Sequence, residues 1–595
     1  DWDITEVFSQ NRFMKVEKGE YSITLGPYGY FWLQADKADR KETSKASGEL
    51  PLLKTKISWE RLFDNYNLVR TLERNILPVF MKKCRWFGGK AKVISKTTIN
   101  KAIPLKVEGN THFLLIIEVH YVQRLPEFYF LPLTFALTDS ISNDVEYTVQ
   151  SVVCRAEIQG ETGFIMDSSY DRQFRDFLFV NIEKGSRFKD DDSGVLEFNS
   201  GVFAKLDTRN VQSKILKADQ SNTAIIYNDQ HFFKFYRKIE KEINPDLEII
   251  RFLTENTTFQ HSPKYAGSVQ YRDTDENFIV LGLLQEKVDN VGDAWVMTME
   301  EVGRYLDQVI ARTDREIFPP LIEKPALNFE EAPAMIQELI GRTFYDRVST
   351  LGQRTAEMHK ALASDSTNPA FRPEQITPHY QRSLYASLRK LLKDRFGLLQ
   401  SALGSLDPAT RTLAKEILAL EMPIMEAFKQ VYQTRITEVK TRIHGDYHLG
   451  QVLFTGKDFI IIDFEGEPGF SFSERRLKKS PLKDVAGMMR SFNYAAYGKI
   501  LLSENYRNSD RGSLEQAAEQ WQHYVSRFFL GAYLQHAGLG MNLSKENDVL
   551  LRTFLLEKAI YELGYELNAR PDWVNIPLKG ISYLVNRYIQ ANPRV

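Results

Sequence analysis

The chain has 595 residues, and at about 150 residues per domain it should divide into roughly three or four units. It is 43% hydrophobic and 26% charged with a formal net charge of −1, so it reads as globular and carries no overall field that would call for nucleic acid or an anionic membrane. Its two cysteines, Cys84 and Cys154, exclude a disulfide framework and a cysteine zinc site and fit a reducing compartment, and its apolar runs fall far short of the about 20 residues that span a bilayer, so a cytoplasmic chain with no membrane partner is expected.

The chain opens on Asp1-Trp-Asp, which is read as the start of a fragment or a processed chain. Tyr21–Leu25 and Tyr30–Leu33 read as two strands around a Gly26-Pro-Tyr-Gly29 turn, and 36–48 reads as a linker. Residues 1–50 are therefore expected to be a β stub, since two strands alone cannot bury a core. A helix is predicted over 58–82. The following Gly88-Gly-Lys90 is not a phosphate loop, because the position that needs the first glycine holds Cys84. Strands at 113–119, 127–137 and 147–154 and a helix at 170–183 complete a small α+β unit over 51–205.

Residues 206–288 read as a nucleotide-binding lobe. Gln220-Ser-Asn-Thr223 leads into the strand Ala224–Tyr227, Asn228-Asp229 makes a hairpin turn, and His231–Arg237 returns. Lys234 sits in the middle of that apolar strand, where a charge needs a partner. Asn244-Pro-Asp246 is a helix start with Asn as the cap, and Glu248 in that helix is the expected partner, as in kinases where a strand Lys and a helix Glu pin the α- and β-phosphates. Two readings stand for Lys234, this one and an edge-strand lysine pointing to water. Two also stand for Ser221, Asn222 and Thr223, whose backbone either covers phosphate or makes a plain turn. Phe278–Gln285 is the last strand of this lobe, and Glu286 to Val288 would be the hinge that meets adenine.

From 289 to 595 the chain is mostly helical, with amphipathic segments at 297–312, 345–362, 385–402, 410–433, 516–535 and 549–568. Interrupting them is Arg442-Ile-His-Gly-Asp-Tyr-His-Leu-Gly-Gln451, then a short hairpin, then Asp463-Phe-Glu-Gly-Glu467. An Asp, an amide five residues on and an Asp after a short apolar strand are the parts of a phosphoryl-transfer site. Asp446 is the candidate general base, Gln451 and Asp463 the candidate magnesium ligands with Glu465 beside them, and His444 a brace or a donor to substrate. ATP and Mg²⁺ are the expected cofactors. Downstream, Arg475-Arg-Leu-Lys-Lys479 either neutralises phosphate or is a solvated loop, and Asp484 is expected to cap its own helix. On the helix 555–570, Glu557, Tyr561 and Tyr565 make the kind of face that holds a sugar. Lys558, Glu562, Glu566 and Arg570 lie beside them at the spacing of solvated i,i+4 pairs. Tyr561, Tyr565, Glu566 and Lys558, with His444 and Asp446, are the candidate sugar-site residues. The fold class expected is α+β and bilobal, like eukaryotic protein kinases, with a sheet-rich N-lobe and a helical C-lobe. His-Gly-Asp in place of His-Arg-Asp, with no Ala-Pro-Glu after it, points away from protein kinases to small-molecule ones.

These motifs resemble those of the maltokinases, within the aminoglycoside-phosphotransferase-like superfamily. The resemblance runs over most of 58–595 and includes Arg85–Lys90, Gln220–Thr223, Asn244–Asp246, Leu351–His359, His444–Gln451, Asp463–Pro468, Ser480–Gly487, Tyr561–Glu566 and Arg570–Trp573. It implies ATP-dependent phosphorylation of maltose to maltose 1-phosphate, a precursor for α-glucan synthesis, and an N-terminal cap subdomain ahead of the kinase lobes. Residues 1–45 look like the closing strands of a trehalose synthase β domain, which implies the kinase part of a fusion and a trehalose synthase domain or subunit as partner. Two other readings are kept: a kinase of glucosamine or another small sugar, and a non-catalytic kinase-like scaffold.

Overall fold

The computed structural model describes residues 2–6, 33–37, 50–90, 92–122, 124–138, 151–216, 221–275, 277–312, 318–503, 506, 510–541 and 543–587. Trp2–Glu6 and Leu33–Lys37 pair antiparallel. Of the expected second strand, Tyr30–Leu33, the described residues hold only Leu33, from which the strand runs into the expected linker; Tyr21–Leu25 also lies outside the described residues.

The expected helix over 58–82 is broken into a 3₁₀ turn Trp59–Asp64, a helix Tyr66–Thr71, a π segment Leu72–Ile76 and a helix Leu77–Lys83. Asn65 starts the second piece by accepting from Leu68 N at 3.1 Å. Pro78 has no N–H to give the preceding turn, and the chain widens ahead of it. These pieces cover one face of a sheet with the order Leu52–Thr55, Val152–Ile158, Glu161–Asp167, Arg124–Leu137, Asn110–Tyr121 and Ile94–Val107. The strand alternation of period two sends its apolar residues to two separate cores. Phe113, Leu115 and Ile117 face the helical pieces with Trp59, Leu62 and Phe80. Leu114 and Ile116 face the other way, against Phe174, Leu178 and Ile182 of the helix Arg172–Lys184. That buried helix, capped by Asp171 and ended by Gly185 at φ 63°, sits between the first sheet and the second.

The second sheet is antiparallel, in the order Ser213–Leu216, Thr223–Tyr227, His231–Phe235, Phe278–Glu286, Tyr265–Arg272, Val195–Ser200 and Arg187–Lys189. Asn228 and Asp229 turn its central hairpin with φ of 51° and 54°, the left-handed values that such tight turns require. The helix Pro245–Asn256 packs on this sheet, started by Asn244, which accepts from Asp246 N at 2.8 Å. Lys238–Ile239 leaves the second sheet and adds to the first beside Tyr129 and Phe128, so one strand stitches the two together.

The second lobe is helical: Ala294–Ala311, Arg342–Leu362, Pro378–Ala402, Pro408–Leu418, Glu421–Gln433, Leu482–Leu502, Arg511–Ala537, Lys545–Ala569 and Asn575–Val585. The single helix expected over 410–433 is two, because Pro423 fits only a first turn and the helix restarts at Glu421. Among the described residues no helix is long and apolar enough to cross a membrane. The hairpin of Val452–Phe454 and Phe459–Ile461 lies where the lobes meet, Ile461 donating to His261 O at 2.8 Å.

Candidate active site

The loop at 442–451 is held from behind by a buried carboxylate. Asp484 accepts from His444 N at 2.7 Å and from Gly445 N at 2.9 Å, and His359 Nε2 lies 3.1 Å away. Burial pushes this carboxyl up, but the His359 hydrogen bond, the neighbouring histidines and the Gly445 amide outweigh it and hold it below the usual carboxylate range. The expectation that Asp484 caps its own helix is corrected: no side-chain cap bond forms there, since the oxygens are spent on the loop. Gly445 adopts φ 89°, a left-handed value that favours glycine at this turn.

His444 is buried and its Nε2 lies 2.9 Å from Ile462 O. A carbonyl only accepts, so Nε2 carries the proton and Nδ1 is left to accept from Asp446 N at 3.4 Å. His444 therefore braces the loop against the strand that leads to Asp463. Tyr447 anchors the loop to Thr355 at 2.8 Å, and Leu449 N donates to Ser491 Oγ. Asp446 itself is left facing Lys558, whose Nζ is 3.4 Å from its Oδ1 and 3.5 Å from Glu467 Oε1, and lies over the Tyr561 ring. Burial works against the Lys558 charge, yet Glu467 and Asp446 raise its pKa above the ordinary value.

On the second sheet, Lys234 Nζ meets Asp246 Oδ2 at 2.8 Å, Glu465 Oε1 at 3.2 Å and Asp463 Oδ1. The expected partner, Glu248, does not reach it. Two residues along a helix turn the side chain by about 200°, so Asp246 faces the strand and Glu248 faces away, onto Arg442 and Arg476. Asp246 is fully buried, also accepts from Tyr236 OH and Phe464 N, and was missed as a site candidate; an acid in the first turn next to a strand lysine was its one signal. Asp463 takes φ 65°, uncommon for a side chain that is not glycine and a strain often found at functional sites. Burial would raise its carboxyl, but Lys234 and a hydrogen bond from Gln451 hold it low. Glu465, which accepts from Asn222 Nδ2 at 3.0 Å, is pushed up by burial and by Asp463 and Asp246 despite Lys234.

Asp246, Asp463 and Glu465 bring carboxylate oxygens within 4.8 Å of one another, the ligand type a hard divalent cation takes. Three acids against one lysine leave negative charge in a buried place, so the donor set fits Mg²⁺, with Gln451 at its edge.

The remaining candidates divide. Gln220 lies outside the described residues. Thr223 accepts from Arg237. Ser221 opens the described turn ahead of that strand. The amides of Glu286 and Lys287 already donate to Lys264 and Gln230 carbonyls, and Val288 O accepts from Asn290. Tyr561 and Lys558 stand at Asp446. Tyr565 is half exposed under Arg570, and Glu566 is buried and committed to Arg570 and Tyr494, so these two join a separate contact. Of the face read as solvated i,i+4 pairs, Glu566 and Arg570 form the expected pair, while Lys558 reaches Asp446 and Glu562 receives Arg490. Much of the basic run is taken up within the protein, Arg475 by the carbonyls of Glu465, Pro468 and Phe470, Arg476 by Glu248 and Lys478 by Glu374, while Lys479 lies over the Phe470 ring.

Residues 80–171 match the maltokinase N-terminal cap domain. The chain thus has a segment similar to that cap domain on a kinase-like fold. It is similar to a glucosamine kinase of Mycolicibacterium smegmatis (strain ATCC 700084 / mc(2)155), 23% identical over 368 residues, which are 61% of this chain and 77% of the relative. It is also similar to a glucosamine kinase of Streptacidiphilus jiangxiensis, 24% identical over 227 residues, 38% of this chain and 46% of the relative. A solved glucosamine kinase in complex with glucosamine, ADP and inorganic phosphate superposes with a TM-score of 0.57 at 16% identity, covering 88% of this chain and 99% of that one. That likeness establishes the bilobal fold. The matched cap segment falls inside the 51–205 unit expected from sequence.

Proposed function

We propose that the chain is an ATP-dependent kinase of maltose, transferring the γ-phosphoryl group to the anomeric hydroxyl to give maltose 1-phosphate and ADP. The observation that carries this reading is an Asp446 on a loop anchored by Asp484, together with the Lys234, Asp246, Asp463 and Glu465 cluster at the end of the hairpin that follows that loop. Lys234 would hold the α- and β-phosphates, the 221–223 turn would cover them, and the Glu286 carbonyl and Val288 amide would meet adenine. Asp246, Asp463 and Glu465, with Gln451, would hold Mg²⁺, which when bound neutralises charge on the phosphates. Asp446 takes the proton of the attacking hydroxyl as the new P–O bond forms and ADP leaves; with a loose transition state, holding that oxygen in line matters more than base strength. Lys558 and Tyr561 would bind the acceptor beside it.

The cap match supports maltose, while the relatives named as glucosamine kinases support an amino sugar as the second reading. Lys558 favours the first. Its ammonium already lies between Asp446 and Glu467, so a second ammonium would compete for the same two carboxylates. An acceptor panel with product identification tests this. Magnesium-dependent ADP release should be stimulated by maltose above other sugars, stop on chelation, and vanish in Asp446→Asn with an unchanged melting temperature. Glucosamine outperforming maltose would install the second reading, and no stimulation by any sugar would leave a scaffold.

A further inference from the structure

Arg237 lies two residues past the strand that carries Lys234, and its side chain is fully buried. Its guanidinium makes hydrogen bonds in two directions. Nε donates to Thr223 Oγ1 at 2.9 Å, while Nη2 donates to Asp167 Oδ2 at 2.7 Å and Ser169 Oγ at 2.8 Å. The guanidinium carbon lies 5.3 Å from the centre of the Trp86 ring and 5.0 Å from that of Phe235. Trp86, Asp167 and Ser169 all belong to the segment that matches the cap domain. Thr223 opens the strand that follows the turn beside the phosphate-facing cluster, and its neighbour Asn222 in that turn donates to Glu465, which contacts Lys234. The main chain repeats the tie, since Phe130 N donates to Arg237 O at 2.8 Å and Lys238 Nζ reaches Glu127 of the cap sheet at 2.8 Å.

We propose that Arg237 is a positioning residue for nucleotide binding, through which the cap sets the geometry of the 221–223 turn and so the affinity for ATP. The proposal rests on the reading of that turn and Lys234 as the phosphate site. A guanidinium taken out of water needs its hydrogen bonds kept, because an unpaired buried charge is costly. The Asp167 and Ser169 bonds fix the guanidinium to the cap, and the Nε bond then fixes Thr223 to the guanidinium. A turn that grips phosphate by backbone N–H groups works only while those groups converge, so the tie bears on nucleotide and leaves the acceptor side, at Lys558 and Tyr561, untouched. A buried arginine that merely stabilises the junction would lower the melting temperature of its variants without separating the two substrates.

The test uses the full chain with Ser169→Ala on the cap side, Thr223→Val on the turn side, the double variant, and Arg237→Lys, which keeps the charge but cannot span both sides. A fluorescent ATP analogue with Mg²⁺ is titrated directly, and KM is measured for ATP and for the sugar. Each single variant should raise the nucleotide Kd and KM by about five- to tenfold with the sugar KM within about twofold, and the double variant should be little worse than the worse single one, because coupled residues are non-additive. If Arg237→Lys does not fold, Ser169→Ala decides, since that residue touches no part of the nucleotide site. Unchanged nucleotide affinity in Ser169→Ala, equal rises in both KM values, or additive effects would overturn the proposal. The titration needs no acceptor: a wild-type chain that binds nucleotide but phosphorylates no sugar would defeat the proposed function alone, and one that binds no nucleotide would defeat both.

Discussion

Glu248 accepts from Arg442 Nη1 at 2.6 Å, joining the helix Pro245–Asn256 to the start of the 442–451 loop. Arg442 is buried, and its guanidinium lies over Phe371, which itself stacks on Phe252 of the same helix at 3.6 Å. Arg476 approaches the same carboxylate from the loop that follows Asp463. Burial raises the Glu248 carboxyl, but the two arginines overcome that and hold it below the ordinary value. The acid that a protein-kinase analogy assigns to the phosphate lysine thus ties the lobes together, and Asp246 serves the lysine.

Glu248→Ala should therefore act on the loop rather than on nucleotide. It leaves Arg442 buried with one fewer partner, for which a loss of about 3 kcal/mol in unfolding free energy is expected. Denaturant titration measures that loss. In steady-state kinetics kcat should fall while KM for ATP stays within about twofold, because Lys234 keeps Asp246. A selective rise in KM for ATP would restore the lysine–Glu248 pairing.

Asp484→Asn should cripple turnover with little change in either KM. The amide keeps one acceptor oxygen for two loop N–H groups and turns an NH₂ toward the other. A shift of the loop by an ångström is enough to cost about 100-fold in rate. Wild-type kcat in this variant would show that the loop holds its shape without the carboxylate.

In the cap, Glu127 draws together Lys92, Lys238, Tyr121 and Tyr129. Burial opposes its charge, but the hydrogen bonds from Lys238, Lys92 and Tyr121 bring its pKa down to about 2 from 4.5. A carboxyl lowered on folding stabilises the folded state above its unfolded pKa, and that contribution fades as pH falls through the folded value. The melting temperature of Glu127→Gln should lie below wild type at pH 7, and the gap should narrow steadily between pH 4.5 and pH 2. A gap that does not change with pH would mean that packing, not charge, is lost.

Much of the site is legible before folding because its parts are close in sequence. Asp446, Gln451 and Asp463 lie on one loop and one hairpin, and the short apolar strands between them can only present the acids at the same end. The helix start at Asn244-Pro-Asp246 and the turn at Asn228-Asp229 are legible for the same reason, being decided by backbone chemistry within a few residues. The single helix over 58–82 is misread because its apolar residues keep helical spacing on both sides of Pro78, and periodicity does not register a widened turn.

The amino-acid sequence by itself determined where the candidate catalytic loop lies and which carboxylates flank the hairpin after it. The partners of the buried charges were decided only by the tertiary structure. Lys234 meets Asp463, 229 positions away, Arg442 meets Glu248, 194 positions away, and Arg237 meets Asp167, 70 positions away. The reason is electrostatic: a charge removed from water must find its counter-charge and hydrogen bonds wherever packing brings them, and a rotation of two residues on one helix is enough to exchange Asp246 for Glu248.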